Sequence, residues 1–386
     1  MKELYISSLN LLRCDRSELP TQLLIMAKVM AIAVLITMDW HAMPDVFVPY
    51  FTFLDRIPWA RSFHVVLELS IVVCAILLIF NLWVRPACLA IGSAYLMANL
   101  ISLPYFTNSR LFTGCIFFLL GLSGKDQEPW LICYQVMVLY LGGALNKLLA
   151  SDWRNGEFFS YWGHVYVNEK LFLWAVSRLS WSFVSLVLSW TTIVTEVVIL
   201  IGLLVRRFRA WTIWLGLVFH GSTIFLTGRP FGFFMFALPA SYLAFVDWPQ
   251  RMTMLYDGDC SFCTRTRNFF HRFEFSDAIV WIPYQSAPDR HDIPVEVLRK
   301  KIHLIAGHGI SSGFRAFQKL LLYNPATYLA LAVVLSISEV LSVQRWLVYP
   351  LLLLFSPWIA PIGDVVYQRI ARDRHSLTTA VPTPVR

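Results

Sequence analysis

Apolar residues form long runs over the first two thirds of the chain, and charged or turn-forming residues separate these runs. A bilayer core of about 30 Å requires roughly 20 apolar residues in a helix. The sequence therefore predicts an α-helical polytopic membrane domain of about eight spans over residues 1–248. The predicted spans are 22–38, 62–80, 86–103, 109–122, 130–149, 181–205, 210–227 and 231–247.

Basic residues in the short loops predict the orientation of this domain. Arg206, Arg207 and Arg209 separate the sixth and seventh predicted spans, and basic residues in short loops stay on the cytoplasmic side. Eight spans then place both chain ends in the cytoplasm, and residues 39–61 and 150–170 outside. We expect a multi-pass protein of a bacterial inner membrane, in contact with lipid and with its C-terminal part in the cytoplasm.

The pattern of apolar residues changes after residue 249. Short β-rich runs alternate there with helical patterns, which is typical of a small α/β domain. We place this domain at residues 252–375 and a flexible tail at 376–386. Segments 328–341 and 346–359 are apolar again but contain charged residues or prolines, so we expect them to lie on the membrane or pack on the small domain. The β-rich runs are MTMLY, AIVWIPY and KIHLIA.

Composition excludes a disordered chain and a soluble single domain. Hydrophobic residues make up 57% of the chain and charged residues only 15%, and the mean hydropathy is +0.60. The net charge is +8, but the basic residues interrupt apolar runs and form no continuous face, so nucleic acid is not an expected partner. Among seven cysteines, only Cys260 and Cys263 stand close together.

This cysteine pair follows a predicted strand and a tight turn and begins a predicted helix at residues 261–273. Gly258 permits the turn. A thiol at the first helical position lies near unpaired backbone N–H groups and the positive end of the helix dipole, which favour the thiolate. Cys260 is therefore the expected attacking sulfur, and Cys263, almost one turn further on, the resolving thiol. The supporting residues we select are Tyr256, Asp257, Gly258, Asp259 and Arg265.

Two other interpretations of the pair remain open. Half of a zinc site would need a second pair of ligands, and only His303 and His308 show a usable spacing. The cysteines are also compatible with an inert structural pair. A C-x-x-C motif directly after a strand and a turn favours redox chemistry over both, and we predict no metal.

The C-terminal third resembles the DCC family of thiol-disulfide oxidoreductases. The resemblance rests on YDGDCSFC at 256–263, SGFRAF at 312–317 and VYQRIARDR at 366–374. It implies a thioredoxin-like fold, Cys260 as nucleophile, Cys263 as resolving thiol, and a protein or small-molecule thiol or disulfide as substrate. Thioredoxins usually have a cis-proline before the strand that faces the cysteines. The nearest proline here is Pro294, which argues against peptide binding of the thioredoxin type.

Ionisable residues within the predicted spans are costly in hydrocarbon and require a partner, a cavity or a function. His64 and Glu68 share a helix face. Together with Lys147 and His220 they are expected to form a polar cluster at similar depth, whereas Glu196 is expected to lie apart. Lys147 is either a neutral general base or a lysine that reaches the headgroups or pairs with Glu68.

The segment YLGGALNKLLASDWRNG at 140–156 resembles the HTTM domain, the membrane fold of vitamin K-dependent gamma-carboxylases, and residues 219–238 are similar to another helix of that domain. The resemblance implies that Lys147 is the base that deprotonates a reduced quinone. The large C-terminal domain of the carboxylases has no counterpart in this sequence, so peptide carboxylation is not expected.

These observations predict a membrane-bound thiol-disulfide oxidoreductase of the protein-disulfide reductase type, coupled to a quinone-like cofactor in the membrane domain. One alternative is a carboxylase-like or quinol-oxidising enzyme that uses Lys147, with the dithiol as an accessory. A second alternative is a membrane scaffold or transporter without enzymatic activity.

Overall fold

The computed structural model is mostly helical and contains one small sheet. It divides into two compact units whose main segments are Ser17–Val246 and Asp247–Ala330; Leu331–Leu352 groups with the first unit, and helix Ile359–Asp373 belongs to the second. The residues described are 13–14, 17–43, 51–56, 63–125, 128–166, 170–227, 233–273, 278–287, 293–307, 309–342, 356 and 358–373.

The main segment of the first unit contains helices at all eight positions where spans are predicted. Three shorter helices, α6 to α8, lie between the fifth and sixth of these positions. The helices are α1 Thr21–Thr37, α2 Phe63–Ile79, α3 Val84–Ile101, α4 Asn108–Leu122, α5 Trp130–Leu149, α6 Ser151–Arg154, α7 Glu157–Tyr166, α8 Lys170–Arg178, α9 Trp181–Leu204, α10 Arg209–Thr227 and α11 Phe234–Ser241.

Only some of these helices are long and apolar enough to cross a membrane. Among the described residues, α3, α5 and α9 meet both conditions. The apolar helices α1, α2 and α4 have 15 to 17 residues, and at a rise of about 1.5 Å per residue they extend only about 23 to 26 Å. The structure thus gives three candidate spans and does not clearly give the eight predicted ones.

Glycines allow α3 and α4 to pack closely. A Cβ atom on Gly92 would lie 2.4 Å from the backbone nitrogen of Phe118, and one on Gly121 would lie 2.8 Å from that of Leu89. Contacts this short leave no room for a side chain. Small residues of this kind are typical where two membrane helices bring their backbones together.

The second unit contains a mixed four-stranded sheet, which confirms the small α/β unit. Strand β1 pairs in parallel with β2, while β3 pairs antiparallel with both β1 and β4, giving the order β2-β1-β3-β4. Helix α12 connects the two parallel strands. The elements are β1 Met252–Tyr256, α12 Ser261–Arg272, β2 Ile279–Pro283, α13 Val295–Leu298, β3 His303–Ala306, β4 Gly309–Ser312 and α14 Phe314–Leu322.

Alternating side chains build a core on each face of this sheet. Met254 and Tyr256 of β1 pack with Leu304 of β3 on one face. Leu255 and Ile305 pack together on the opposite face. Period-two alternation of this kind sets the strand register, because a shift by one residue would turn each core residue to the wrong face.

In the described part of the chain, two more helices follow α14, namely α15 Pro325–Val340 and α16 Ile359–Asp373. α14 and α15 together are apolar enough for one span, but they are bent by 71° at the break between them. Most of the predicted apolar segment 346–359 lies outside the described residues, as does the predicted tail 376–386. Of the two predicted apolar segments, the structure therefore describes only 328–341, which lies mostly in helix α15.

Candidate active site

Cys260 caps the N-terminus of helix α12. Its backbone is extended, with φ −91° and ψ 111°, and its Sγ accepts a hydrogen bond from the backbone N–H of Cys263 at 3.3 Å. Cys260 is thus the residue just before the helix, which begins at Ser261, and not its first helical residue. At the N-cap it still meets an N–H group that has no partner within the helix, together with the positive end of the helix dipole. The Cys260 sulfur therefore occupies the position from which a side chain accepts a hydrogen bond at the start of a helix.

The two cysteines differ in their access to solvent. Cys260 is 1% exposed, whereas Cys263 is partly exposed. No disulfide joins any of the seven cysteines, all of which lie in the described part of the chain. Cys263 is therefore the more accessible of the two thiols, whereas the sequence analysis assigns the attack on the substrate to Cys260.

A glutamine that the sequence analysis missed holds the turn before Cys260. The Nε2 of Gln285 donates hydrogen bonds to Asp257 Oδ1 at 2.7 Å and to Asp259 Oδ2 at 3.1 Å. Its Oε1 accepts the backbone N–H of Gly258 at 3.1 Å. One amide side chain therefore contacts three consecutive residues, and the buried Asp257 carboxylate also accepts the N–H of Asp259.

Gly258 is required in this turn because of a close approach. A Cβ atom at this position would lie 2.9 Å from Cβ of Pro283 and 3.3 Å from Oε1 of Gln285. Its φ angle is not among the positive values found in the described residues. The sequence analysis explained Gly258 by the conformational freedom of glycine. In the structure, the reason is the lack of space for a side chain beside Pro283 of β2.

An open groove beside Cys263 brings together the three sequence motifs of the second unit. It is partly open to solvent. The first motif contributes Cys263, the second Phe317, and the third Tyr367 and Ile370. The remaining lining residues are Tyr256, Asp257, Phe262, Thr266, Lys301, Ile302 and Ala371.

Helix α16 fixes the wall of the groove through two side-chain hydrogen bonds. The hydroxyl of Tyr367 accepts the backbone N–H of Ile302 at 3.0 Å. Asp364 Oδ1 accepts the N–H of Phe314 at 3.1 Å, next to Gly313, whose φ of +60° favours glycine. Motifs that are separated by about 50 residues in the sequence thus meet around one thiol.

The comparison with known families agrees with this arrangement. Residues 254–380 match the family model of DCC1-like thiol-disulfide oxidoreductases. The match covers the cysteine pair, the turn, the groove and α16, and it supports a thiol-disulfide oxidoreductase role for this domain. No curated protein and no solved structure matches the chain. The HTTM resemblance of the first unit stays a prediction.

Other residues considered in the second unit are Arg265, His303 and His308. Arg265 is exposed on α12. His303 is buried in β3, where burial lowers its pKa below the usual value of 6.5. His308, its proposed partner in a zinc site, lies outside the described residues. Within the described part of the chain, no group of three or more His, Cys, Asp or Glu side chains is placed to hold a metal ion.

In the first unit, Lys147 pairs with a residue that was expected to lie apart. Its Nζ contacts Glu196 Oε1 at 2.8 Å and Oε2 at 2.9 Å, and the two side chains are 19% and 12% exposed. It also lies 5.1 Å from the ring centre of Trp153. Pairing with Glu68, one of the alternatives for this lysine, is not what the structure shows, since Glu68 lies 3.4 Å from His41. Packing of α5 against α9 produces the Lys147–Glu196 pair.

The structure gives the members of the predicted membrane cluster different partners. Nε2 of His220 lies 2.8 Å from the hydroxyl of Tyr140, which also hydrogen-bonds the hydroxyl of Tyr242. His64 remains in the first turn of α2, one turn before Glu68. The two tyrosines were missed because their contacts depend on helix packing and not on a sequence motif.

Proposed function

We propose that this protein is a membrane-bound thiol-disulfide oxidoreductase that reduces disulfides through Cys260 and Cys263. The observation that carries the proposal is the position of Cys260 at the helix N-cap, where its sulfur accepts the N–H of Cys263. An N-cap position lowers the energy of a thiolate, which is the reactive form in disulfide exchange. The match of this domain to the DCC1-like family supports the same chemistry.

The proposed reaction transfers two electrons and two protons to the substrate. The Cys260 thiolate attacks one sulfur of a substrate disulfide, so that a mixed disulfide forms and the first substrate thiol leaves with the proton that Cys260 gave up. Cys263 then loses its proton and attacks the Cys260 sulfur. The second substrate thiol leaves, and a Cys260–Cys263 disulfide remains until a dithiol reductant restores it.

The fold of the second unit supports a thioredoxin-like assignment. A β-α-β unit with parallel strands precedes an antiparallel pair and a helix, and the cysteine pair stands at the start of the first helix. We propose on this basis that the second unit has a thioredoxin-like fold. Its cytoplasmic location remains part of the proposal and suits a reductase, because the cytoplasm keeps thiols reduced.

Variants of single cysteines test this function in the full-length protein in lipid nanodiscs. We expect Cys260→Ser to lose the reduction of a model disulfide by added dithiothreitol, and Cys263→Ser to accumulate a mixed disulfide with the substrate. Cys74→Ser, which changes a partly buried thiol of α2, serves as the control and should retain wild-type activity. Unchanged turnover in Cys260→Ser would contradict the proposal, and a mixed disulfide trapped in that variant would reverse the two roles.

We further propose that the helical unit lies in the membrane and exchanges electrons between the dithiol and a quinone. A dithiol and a quinol are both two-electron carriers, so the exchange balances in both directions: quinol and the Cys260–Cys263 disulfide give quinone and the dithiol, which restores the reductase, and a quinone assay follows the reverse reaction. Polar groups between apolar helices support a ligand or proton site in this unit. The relevant contacts are Lys147–Glu196 and Tyr140–His220.

The alternative in which Lys147 acts as a neutral base is less well supported by this geometry. Nζ of Lys147 already contacts both carboxylate oxygens of Glu196, so a quinol hydroxyl would have to displace one of these contacts. Absorbance of a water-soluble quinone, followed after mixing with the pre-reduced protein, separates the possibilities. Dithiol-dependent quinol formation that is lost in Cys260→Ser supports the coupled reaction. Quinol oxidation that is lost in Lys147→Met and retained in Cys260→Ser supports the alternative.

A further inference from the structure

The groove beside Cys263 has an apolar lining that is built to contact side chains. Rings of Phe262, Phe317 and Tyr367 line it together with aliphatic side chains of Ile302 and Ile370. Its two formally charged lining residues, Asp257 and Lys301, have opposite signs. The groove therefore offers apolar surface without a net charge.

The main chain along the groove is already hydrogen-bonded. The N–H of Ile302 donates to the hydroxyl of Tyr367 at 3.0 Å, and the carbonyl of Ile302 accepts the N–H of Gly313 at 3.0 Å. A peptide that binds by strand addition needs N–H and C=O groups that are still available on the protein. The residue of the groove that directly precedes β3 does not offer such a pair.

We propose that the groove is the substrate-recognition site of the dithiol, and that it binds a bulky apolar side chain next to the substrate disulfide without main-chain strand pairing. This inference rests on the proposed oxidoreductase function and specifies its substrate class. Disulfides flanked by polar or charged groups, such as glutathione disulfide, gain little from an apolar groove. A cysteine beside an aromatic residue gains contact with the groove while its sulfur lies beside Cys263, the cysteine that lines the groove.

A set of three matched peptide disulfides tests both parts of the proposal. The probes are the symmetric disulfides of acetyl-Phe-Cys-amide, acetyl-Ser-Cys-amide and the Phe peptide with an N-methylated cysteine. Each reacts in a single turnover with the pre-reduced full-length protein in nanodiscs, and each rate is divided by the rate of that probe with dithiothreitol. This ratio removes differences in intrinsic reactivity.

We expect the Phe probe to react about tenfold faster than the Ser probe, because a phenyl ring buries apolar surface that the hydroxymethyl group lacks. N-methylation should change the rate by less than about twofold, because no strand hydrogen bond is lost. Equal rates for the Phe and Ser probes would overturn the proposal. A loss of about tenfold or more on N-methylation would instead show strand pairing.

Two serine substitutions on α16 locate the effect in the groove. Ile370 lines the groove and is 43% exposed, whereas Val365 lies on the same helix outside the groove and is 68% exposed. Because both side chains are substantially exposed, both variants should fold. We expect Ile370→Ser to reduce the Phe-to-Ser preference from about tenfold to about threefold, and Val365→Ser to leave it unchanged. The same preference in both variants would place recognition elsewhere.

The outcomes separate this inference from the proposed function. If the wild-type protein and Cys260→Ser react alike with every probe, the proposed function itself fails. If reduction depends on Cys260 but the Phe and Ser probes react equally, only the recognition inference fails.

Discussion

Removal of the Gln285 side chain should loosen the turn that positions Cys260. In Gln285→Ala, the turn loses three hydrogen bonds, of which the shortest, at 2.7 Å, reaches the buried carboxylate of Asp257. A hydrogen bond to a charged group contributes about 1.5 to 3 kcal/mol, while the two bonds at the exposed side of the turn contribute less. We therefore expect local opening of residues 257–260 to become easier by about 2 kcal/mol, or about 30-fold.

Hydrogen exchange measured by mass spectrometry checks this value on peptides that cover residues 254–263. Exchange of the Gly258 and Cys260 amides should accelerate by about the same factor, because Gly258 donates to Gln285 and Cys260 donates to the carbonyl of Asp257. Ser286→Ala is the matched control. The hydroxyl of Ser286, the residue after Gln285, donates to the carbonyl of Pro283 and not to residues 257–260. Exchange that is equally fast in both variants, or unchanged in Gln285→Ala, would refute the reasoning.

Three further predictions test other contacts. Gly258→Ala should lower the stability of the second unit by about 1 to 3 kcal/mol through overpacking against Pro283, as measured by pulse proteolysis in urea. Burial lowers the pKa of His303. Its contribution to stability is therefore complete above about pH 6.5 and declines as the pH falls toward the lowered pKa. Proteolysis across pH should show this decline in the wild type and not in His303→Gln. Either Lys147→Met or Glu196→Gln alone should lower the melting temperature in detergent more than the double variant does, because each single change leaves an unpaired group.

Local sequence patterns predicted the elements of the second unit better than their contacts. Alternation of apolar residues predicts β1, β2 and β3, whereas β4, with the sequence GISS, is short and polar and was missed. Cys260 was placed within one residue of its position because capping is a local property. Gln285 was missed because its contact with Gly258 follows from the parallel register, in which Tyr256 pairs with Pro283. A parallel pairing of these two strands is the signal that would have found it.

The first unit shows the same limit at larger distances. Hydropathy located helices at all eight predicted positions, but it overestimated how many are long enough to cross a bilayer. The Lys147–Glu196 pair joins residues 49 positions apart on two helices. Helix periodicity predicts which side chains share one helix face, but it does not predict which helix lies opposite.

The hydrogen bond between the Cys260 sulfur and the Cys263 amide divides the two duties of residue 263 between different atoms. The backbone nitrogen of this residue stabilises the nucleophile, and its side chain closes the disulfide. A monothiol form with serine at this position thus keeps the support for the reactive sulfur and loses only the capacity to resolve. Replacement of the Cys263 sulfur by the oxygen of serine would therefore convert a dithiol reductase into a one-cysteine exchange catalyst on the same backbone.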